Sequence, residues 1–205
     1  MQYLEAAEYE RYGLDATTSE SFVRAASALI ESHCRRPSLG LAEYTERLRV
    51  APGGRVRLSY LPLCATEEAA RPILRIRVRC TSADGCIGDL TREFAQTFGL
   101  AGTWSEINPS QVEFLSGSGE VTIPTHALGL AFTEAEITYT AGFETIPEAV
   151  KFACAQLVKN AEAMPALNVR RSSIDRMEME YFGGSLLDDT VKRLLAPFVS
   201  TRMSR

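Results

Sequence analysis

Ile137-Thr138-Tyr139-Thr140-Ala141-Gly142-Phe143, followed closely by Ile146-Pro147-Glu148-Ala149-Val150, is the stretch on which the fold turns. Glu136–Thr140 reads as a β-strand that closes a β-rich region, and Ala141-Gly142-Phe143 ends it. Ile146-Pro147-Glu148 then opens a helix, with Pro near the first turn and an acid close behind. Val150, Ala153, Cys154, Leu157, Val158 and Ala161 give that helix one apolar stripe, and Met164-Pro165 ends it.

Upstream, Glu5 to Tyr12 reads as a short helix stopped by Gly13. Thr17 and Glu20 stand three apart, as a capping box requires. Behind them Phe22, Val23, Ala26, Leu29, Ile30 and Cys34 recur at helical spacing, with Ala25, Ala26, Ser27 and Ala28 small enough for close helix packing. Arg35, Arg36 and Pro37 end this helix. The middle changes period. Tyr44–Val50 and Arg55–Leu61 flank Ala51-Pro52-Gly53-Gly54 as one expected hairpin. Ile73–Cys80 is a third β-rich run, and a helix is expected at about 87–98. Val112–Leu115 and Glu120–Ile123 flank Ser116-Gly117-Ser118-Gly119 as a second hairpin.

Downstream, Asn168 to Ser173 is polar and basic, Ile174–Phe182 alternates weakly, and Gly183-Gly184 marks a turn. Ser185 is the expected cap of a closing helix, Leu186–Ala196, with Asp188 and Asp189 in its first turn and Pro197 as its stop. The expected fold is therefore α+β: a helical bundle formed by the N- and C-terminal helices with a β-hairpin-rich middle. It is read as one domain, 1–205, with 1–42 and 143–205 as helical core and 43–142 as the β-rich region.

The chain has 205 residues, 45% apolar and 23% charged. A fold of this size buries roughly 70% of its unfolded surface, enough for a real core without staples. No apolar run approaches the ~18 residues of a membrane span, and the opening Met1-Gln2-Tyr3-Leu4-Glu5 spells no secretion signal. A net charge of −4 argues against a nucleic-acid binder held by bulk charge. The five cysteines (34, 64, 80, 86, 154) are odd in number and irregular in spacing, which reads as reduced thiols. Cys80 and Cys86 have no second pair, so no metal site is expected.

Catalytic signals are sparse. Of the two histidines, His33 sits near a helix C-terminus, where an imidazolium favours the dipole. His126 follows Ile123-Pro124-Thr125 with no neighbouring acid or nucleophile motif. No G-x-S-x-G, no G-x-G-x-x-G and no Gly-Lys-Ser/Thr is present. Asp188 and Asp189 are explained by the helix dipole. No catalytic, cofactor-binding or metal-binding residue is assigned.

Two features read as contact surfaces. Arg75, Arg77 and Arg79 alternate along one strand face, and Arg55 and Arg57 do the same on another. Such a plane must meet solvent, acidic side chains of a neighbour, or phosphate. The second is Val169–Phe182, where Arg170, Arg171, Arg176, Met177, Met179, Tyr181 and Phe182 combine charge with adaptable or aromatic groups, a composition favoured at interfaces.

The order of elements resembles the head–tail connector, or adaptor (head completion), proteins of long-tailed bacteriophages. The resemblance rests on Phe22-Val23-Arg24-Ala25-Ala26-Ser27-Ala28-Leu29-Ile30-Glu31 with the exit Cys34-Arg35-Arg36. It continues through Arg57-Leu58-Ser59-Tyr60-Leu61-Pro62-Leu63 and Gly119-Glu120-Val121-Thr122-Ile123-Pro124. It is sharpest at Tyr139-Thr140-Ala141-Gly142-Phe143 with Pro147, and closes at Leu194-Leu195-Ala196-Pro197-Phe198. One departure is Ser82–Gly102 with its own helix, longer than in the smaller members.

The resemblance implies a structural part without enzymatic activity or cofactor. It implies a ring of about twelve copies under the portal protein at the head–tail junction of the virion, assembled in the bacterial host cytoplasm. Each copy would offer two different complementary patches. That ring would extend the DNA channel, let DNA pass without specific binding, and meet a tail-side connector or stopper protein, with no membrane involved. Arg-lined strand faces and the acidic first helix (Glu5, Glu8, Glu10) would be partners by charge. Two other classes stay open: a nucleic-acid-binding module using the Arg face, and a small enzyme whose site involves His126.

Overall fold

The computed structural model describes residues 2–67, 69–80, 104–115, 117–125, 132–163 and 186–200, and the backbone of 171–174 and 177–180. Chain contacts gather into two compact units, one from residues 1–39 with 145–200, the other centred on 40–144.

The first unit is built on helices α1 (Glu20–Cys34), α2 (Glu148–Ala163) and α3 (Asp189–Leu195). Ser19, not Thr17, caps α1 by accepting the Ser21 amide, while Thr17 donates its amide and hydroxyl to Asp15. Arg35 ends α1 in the left-handed region at φ 53°. One face of α1 (Val23, Ala26, Ser27, Ile30) shares a core with Ala153, Cys154, Leu157 and Val158 of α2 and Val191 and Leu195 of α3. The small side chains bring α1 and α2 close: Ser27 Oγ lies 3.8 Å from Cys154 Sγ. Asp188 caps α3, accepting the Val191 amide at 2.7 Å. Tyr3 and Leu4 are buried in the same core, and the Tyr3 hydroxyl donates to Glu31 and accepts from the Leu39 amide.

The expected helical bundle is not what forms. The three helices hold 15, 16 and 7 residues, and Glu5–Tyr12 is two successive 3-10 turns, Ala6–Glu8 and Glu10–Tyr12, stopped by Gly13 at φ 73°. Among the described residues a four-stranded and a three-stranded antiparallel sheet, seven strands between them, balance these helices. The middle of the chain carries a hydrophobic core of its own and is not an appendage of helices.

In the second unit a four-stranded sheet runs in the order β1 (Ala42–Arg49), β7 (Glu134–Ala141), β3 (Ile73–Arg79), β4 (Ser105–Ile107). A three-stranded sheet runs β2 (Arg55–Arg57), β6 (Glu120–Thr122), β5 (Glu113–Leu115). Period-two alternation decides the faces. Ala135, Ile137 and Tyr139 of β7 are buried with Ile76 and Val78 of β3 and Val56 and Val121 of the smaller sheet.

The first expected hairpin closes only at its turn, where Ala51 and Arg55 form one antiparallel bridge and the Ala51 amide donates to the Arg55 carbonyl at 2.8 Å; its strands then find other partners. All eight residues of β1 pair with β7, and β2 pairs with β6. Gly53 and Gly54, at φ 83° and 75°, turn the chain away, and the Ile123 amide donates to the Gly54 carbonyl at 2.8 Å, drawing Arg55–Arg57 to β6. The second hairpin forms as β5–β6, register Glu113↔Thr122 to Leu115↔Glu120.

After β7 the chain passes Gly142 at φ 122°, where a Cβ would lie 2.3 Å from the Gly40 carbonyl oxygen, so only glycine fits. The Leu41 amide donates to the Phe143 carbonyl there. Pro147 follows, and α2 begins one residue later.

Among the described residues Glu46 is the one acid turned into this unit's interior, 9% exposed. A buried carboxylate is tolerated only with donors. It accepts the Ser59 amide at 3.0 Å and the Tyr139 hydroxyl at 3.1 Å, and that hydroxyl accepts the Tyr60 amide at 3.2 Å. Tyr44 packs against both rings, centroids 4.3 Å from Tyr60 and 5.9 Å from Tyr139.

Candidate functional site

The outward face of the four-stranded sheet collects most of the charge that alternates along its strands. Pairing places Arg47 beside Glu136, Glu136 beside Arg77, and Arg77 beside Glu106, one row across all four strands. Arg49, Glu134 and Arg79 form the row next to it.

Each expected contact arginine of this sheet is met by an acid of the same chain. Arg75 grips Glu106 with both arms of its fork, Nε at 3.0 Å and Nη2 at 3.2 Å on separate oxygens. Arg77 bonds Glu136. Arg79 and Arg47 converge on one oxygen of Glu134, with Nη2 at 2.7 and 2.6 Å. Charge-assisted bonds of this kind are short and directional. They hold the Glu134 carboxyl below the usual carboxylate range, through Arg47 first and Arg79 next, and Arg75 does the same to Glu106.

Trp104, just before β4, has three of these guanidiniums over its ring. The guanidinium carbons of Arg79, Arg47 and Arg77 stand 4.8, 5.3 and 5.6 Å from its ring centroid, within cation–π range. Arg75 and Arg47 keep about half of their side-chain surface in solvent, 52% and 51%, whereas Arg77 and Arg79 keep 34% and 23%.

Arg55 and Arg57 do not adjoin this plane. They stand on β2 in the smaller sheet, where Arg55 meets Glu120 at 3.4 Å. Of the acidic opening segment, Glu8 is engaged by Lys151, which lowers its carboxyl pKa.

The second expected contact segment folds back on itself. Strands β8 (Arg171–Ile174) and β9 (Met177–Glu180) form an antiparallel hairpin, register Arg171↔Glu180, Ser172↔Met179, Ile174↔Met177. Arg171, Met177 and Met179 are thus on its strands. Arg170, Arg176, Tyr181 and Phe182 lie outside the described residues, as do Ser185, Cys86, His126 and the helix expected at about 87–98.

The residues that complete the plane were missed in the reading of the sequence: Glu134, Glu136, Glu106, Arg47 and Trp104. A signal was there. Glu134 and Glu136 alternate with the same period as Arg75, Arg77 and Arg79, and two strands of opposite sign and equal period are natural sheet neighbours.

Elsewhere the titratable groups explain themselves structurally. Asp188 is a helix cap and Asp189 pairs with Lys192. Burial pushes the Cys34 and Cys154 thiols up to about 11. Among the described residues no group of three or more His, Cys, Asp or Glu side chains is placed to hold a metal ion, and no helix is long and apolar enough to cross a membrane. No known protein-family model matches the chain, and no curated protein sequence matches it.

Proposed function

We propose that this protein is a structural head–tail connector of a tailed phage or prophage. It would form a ring of about twelve copies that joins the portal protein to a tail-side connector or stopper and extends the channel through which DNA passes. The observation that carries the reading is the passage from β7 through Gly142 to the Pro147-opened helix α2, with α1 packed on that helix. It is the stretch in which the chain's likeness to connector proteins is sharpest.

Two further features support the reading. Arg47, Arg75, Arg77 and Arg79 of the sheet face are each engaged by an acid of a neighbouring strand, so their guanidiniums are held within the chain and not turned to phosphate, as suits a conduit in which DNA must slide. The β8–β9 hairpin supplies a two-stranded element with Arg171, Met177 and Met179 for contact with the portal or a neighbouring copy.

The experiment combines the purified chain with portal-containing heads that lack it and follows joining by sedimentation and electron microscopy. The intact chain is expected to add one ring at the portal vertex. The chain lacking Arg170–Phe182 is expected to fold but not join. Absence of binding by the intact chain refutes the function, and normal joining by the deletion refutes the role of the hairpin.

A further inference from the structure

The charged row across the four-stranded sheet has a symmetry of its own. Read along β1-β7-β3-β4, Arg47, Glu136, Arg77 and Glu106 run plus, minus, plus, minus in direct register. An even number of alternating columns changes sign on reversal about its centre. Turned by a two-fold axis parallel to the strands and midway between β7 and β3, the row lays each cation over an anion of a second row. Arg47 meets Glu106 at both ends, and Glu136 meets Arg77 twice in the middle.

We infer that this face is an isologous contact for a second copy of the same chain. The occupant follows from the charge pattern: an odd number of columns, or a face of one sign, would repel its own copy, whereas this one complements it. Face-to-face packing of sheets with strands nearly aligned is an ordinary geometry.

Solvent reaches the outer columns of the row most and the inner pair less, Arg77 being 34% and Glu136 26% exposed. Arg47 is 51% and Glu106 59% exposed. Trp104, in contact with the guanidiniums of Arg47, Arg77 and Arg79, belongs to the same face and offers a rigid aromatic group of the kind interfaces favour.

The acids are already paired within the chain, so desolvation offsets much of the new attraction. The dimer is accordingly weak and salt-sensitive, and its specificity exceeds its affinity. The contact is independent of the connector reading. An isologous patch closes as a pair and cannot propagate a ring, so it belongs to the free protein.

The test is sedimentation equilibrium of the full chain at increasing concentration. A monomer–dimer equilibrium is expected at low ionic strength, its dissociation constant rising at least ~10-fold towards about 1 M salt, where the screening length is about 3 Å. Arg47→Glu and Glu106→Arg, both at half-exposed positions, are each expected to abolish self-association, and an equimolar mixture of the two variants to restore a dimer. Arg77→Glu mixed with Glu136→Arg repeats the exchange at the inner columns. A monomer at every concentration in low salt overturns the inference. So does a dimer that survives either single variant, one that tightens with salt, or a mixture of folded variants that fails to associate.

Discussion

Tyr139→Phe removes one oxygen atom from the interior of the second unit, and its consequence can be worked from the geometry. The side chain is 0% exposed. Its hydroxyl donates to Glu46 and accepts the Tyr60 amide, so one atom serves two buried partners. Burial first, and the Glu46 charge next, push its ionisation far above the ordinary phenol range, so it stays a donor throughout the accessible pH range.

Phenylalanine fills the same space without a cavity. What remains is the Tyr60 amide minus this acceptor, and a buried carboxylate that keeps the Ser59 amide but has one donor fewer. Each lost hydrogen bond costs about 1–3 kcal/mol, that of the charged group at the upper end. A total near 3 kcal/mol reduces the folded-to-unfolded ratio by roughly 100-fold. Urea unfolding of the two proteins side by side measures it, provided the slope with denaturant is unchanged. Adding Glu46→Gln to Tyr139→Phe removes the under-solvated charge and is expected to recover about 1 kcal/mol or more. A loss below about 0.5 kcal/mol in the single variant would refute the reasoning, since that is the scatter of a surface substitution.

Gly142→Ala sets a Cβ against the Gly40 carbonyl at a φ that side chains avoid, so it is expected to cost about 3 kcal/mol or more and lower the urea midpoint sharply. Glu8, Glu106 and Glu134 have folded-state pKa values below the ordinary 4.5, so their contribution to stability is complete above that value and is lost as pH falls through the lower folded-state values. Urea midpoints are expected to stay level from about pH 7 to 5 and then decline, with a shallower decline in Glu134→Gln; a level profile into strong acid contradicts this. Cys34 and Cys154 are buried with thiols pushed up to about 11, while Cys64 is partly exposed. Alkylation at mildly basic pH followed by peptide mapping is expected to label Cys64 long before Cys34 and Cys154. Leu157→Ala, at a position 1% exposed between the helices, is expected to cost about 2–5 kcal/mol in the same unfolding assay.

Local periodicity carried part of the architecture. Val23, Ala26, Ile30 and Cys34 of α1, Val150, Ala153, Cys154, Leu157 and Val158 of α2, and the β5–β6 hairpin followed from spacing and turn residues, because helix faces and tight turns are decided within a dozen residues; Phe22, expected on the same face of α1, is instead 42% exposed. Partner choice was less accessible. Tyr44–Val50 alternates equally well beside Arg55–Leu61 or beside Glu134–Ala141; two left-handed glycines and a hydrogen bond to Ile123 decide the matter, and none of these is a periodicity.

The bundle expectation failed for a related reason. Helical spacing at both chain ends said nothing of how much apolar surface the strands would bury among themselves. Capping erred by two residues because Thr17 and Ser19 both offer a hydroxyl near the start of α1, and Asp15 claims the first. In the candidate site Arg75, Arg77 and Arg79 were visible as a group, but an arginine strand reads as unpaired until the strand beside it is known.

The indole of Trp104 is the only one in the chain. Its place beneath three guanidiniums makes its emission a single-site optical gauge of the charged sheet face. Anything that shifts Arg47, Arg77 or Arg79, whether ligand, partner or acid, must alter the field across that ring. The colour and intensity of the light it gives back will change with no label attached.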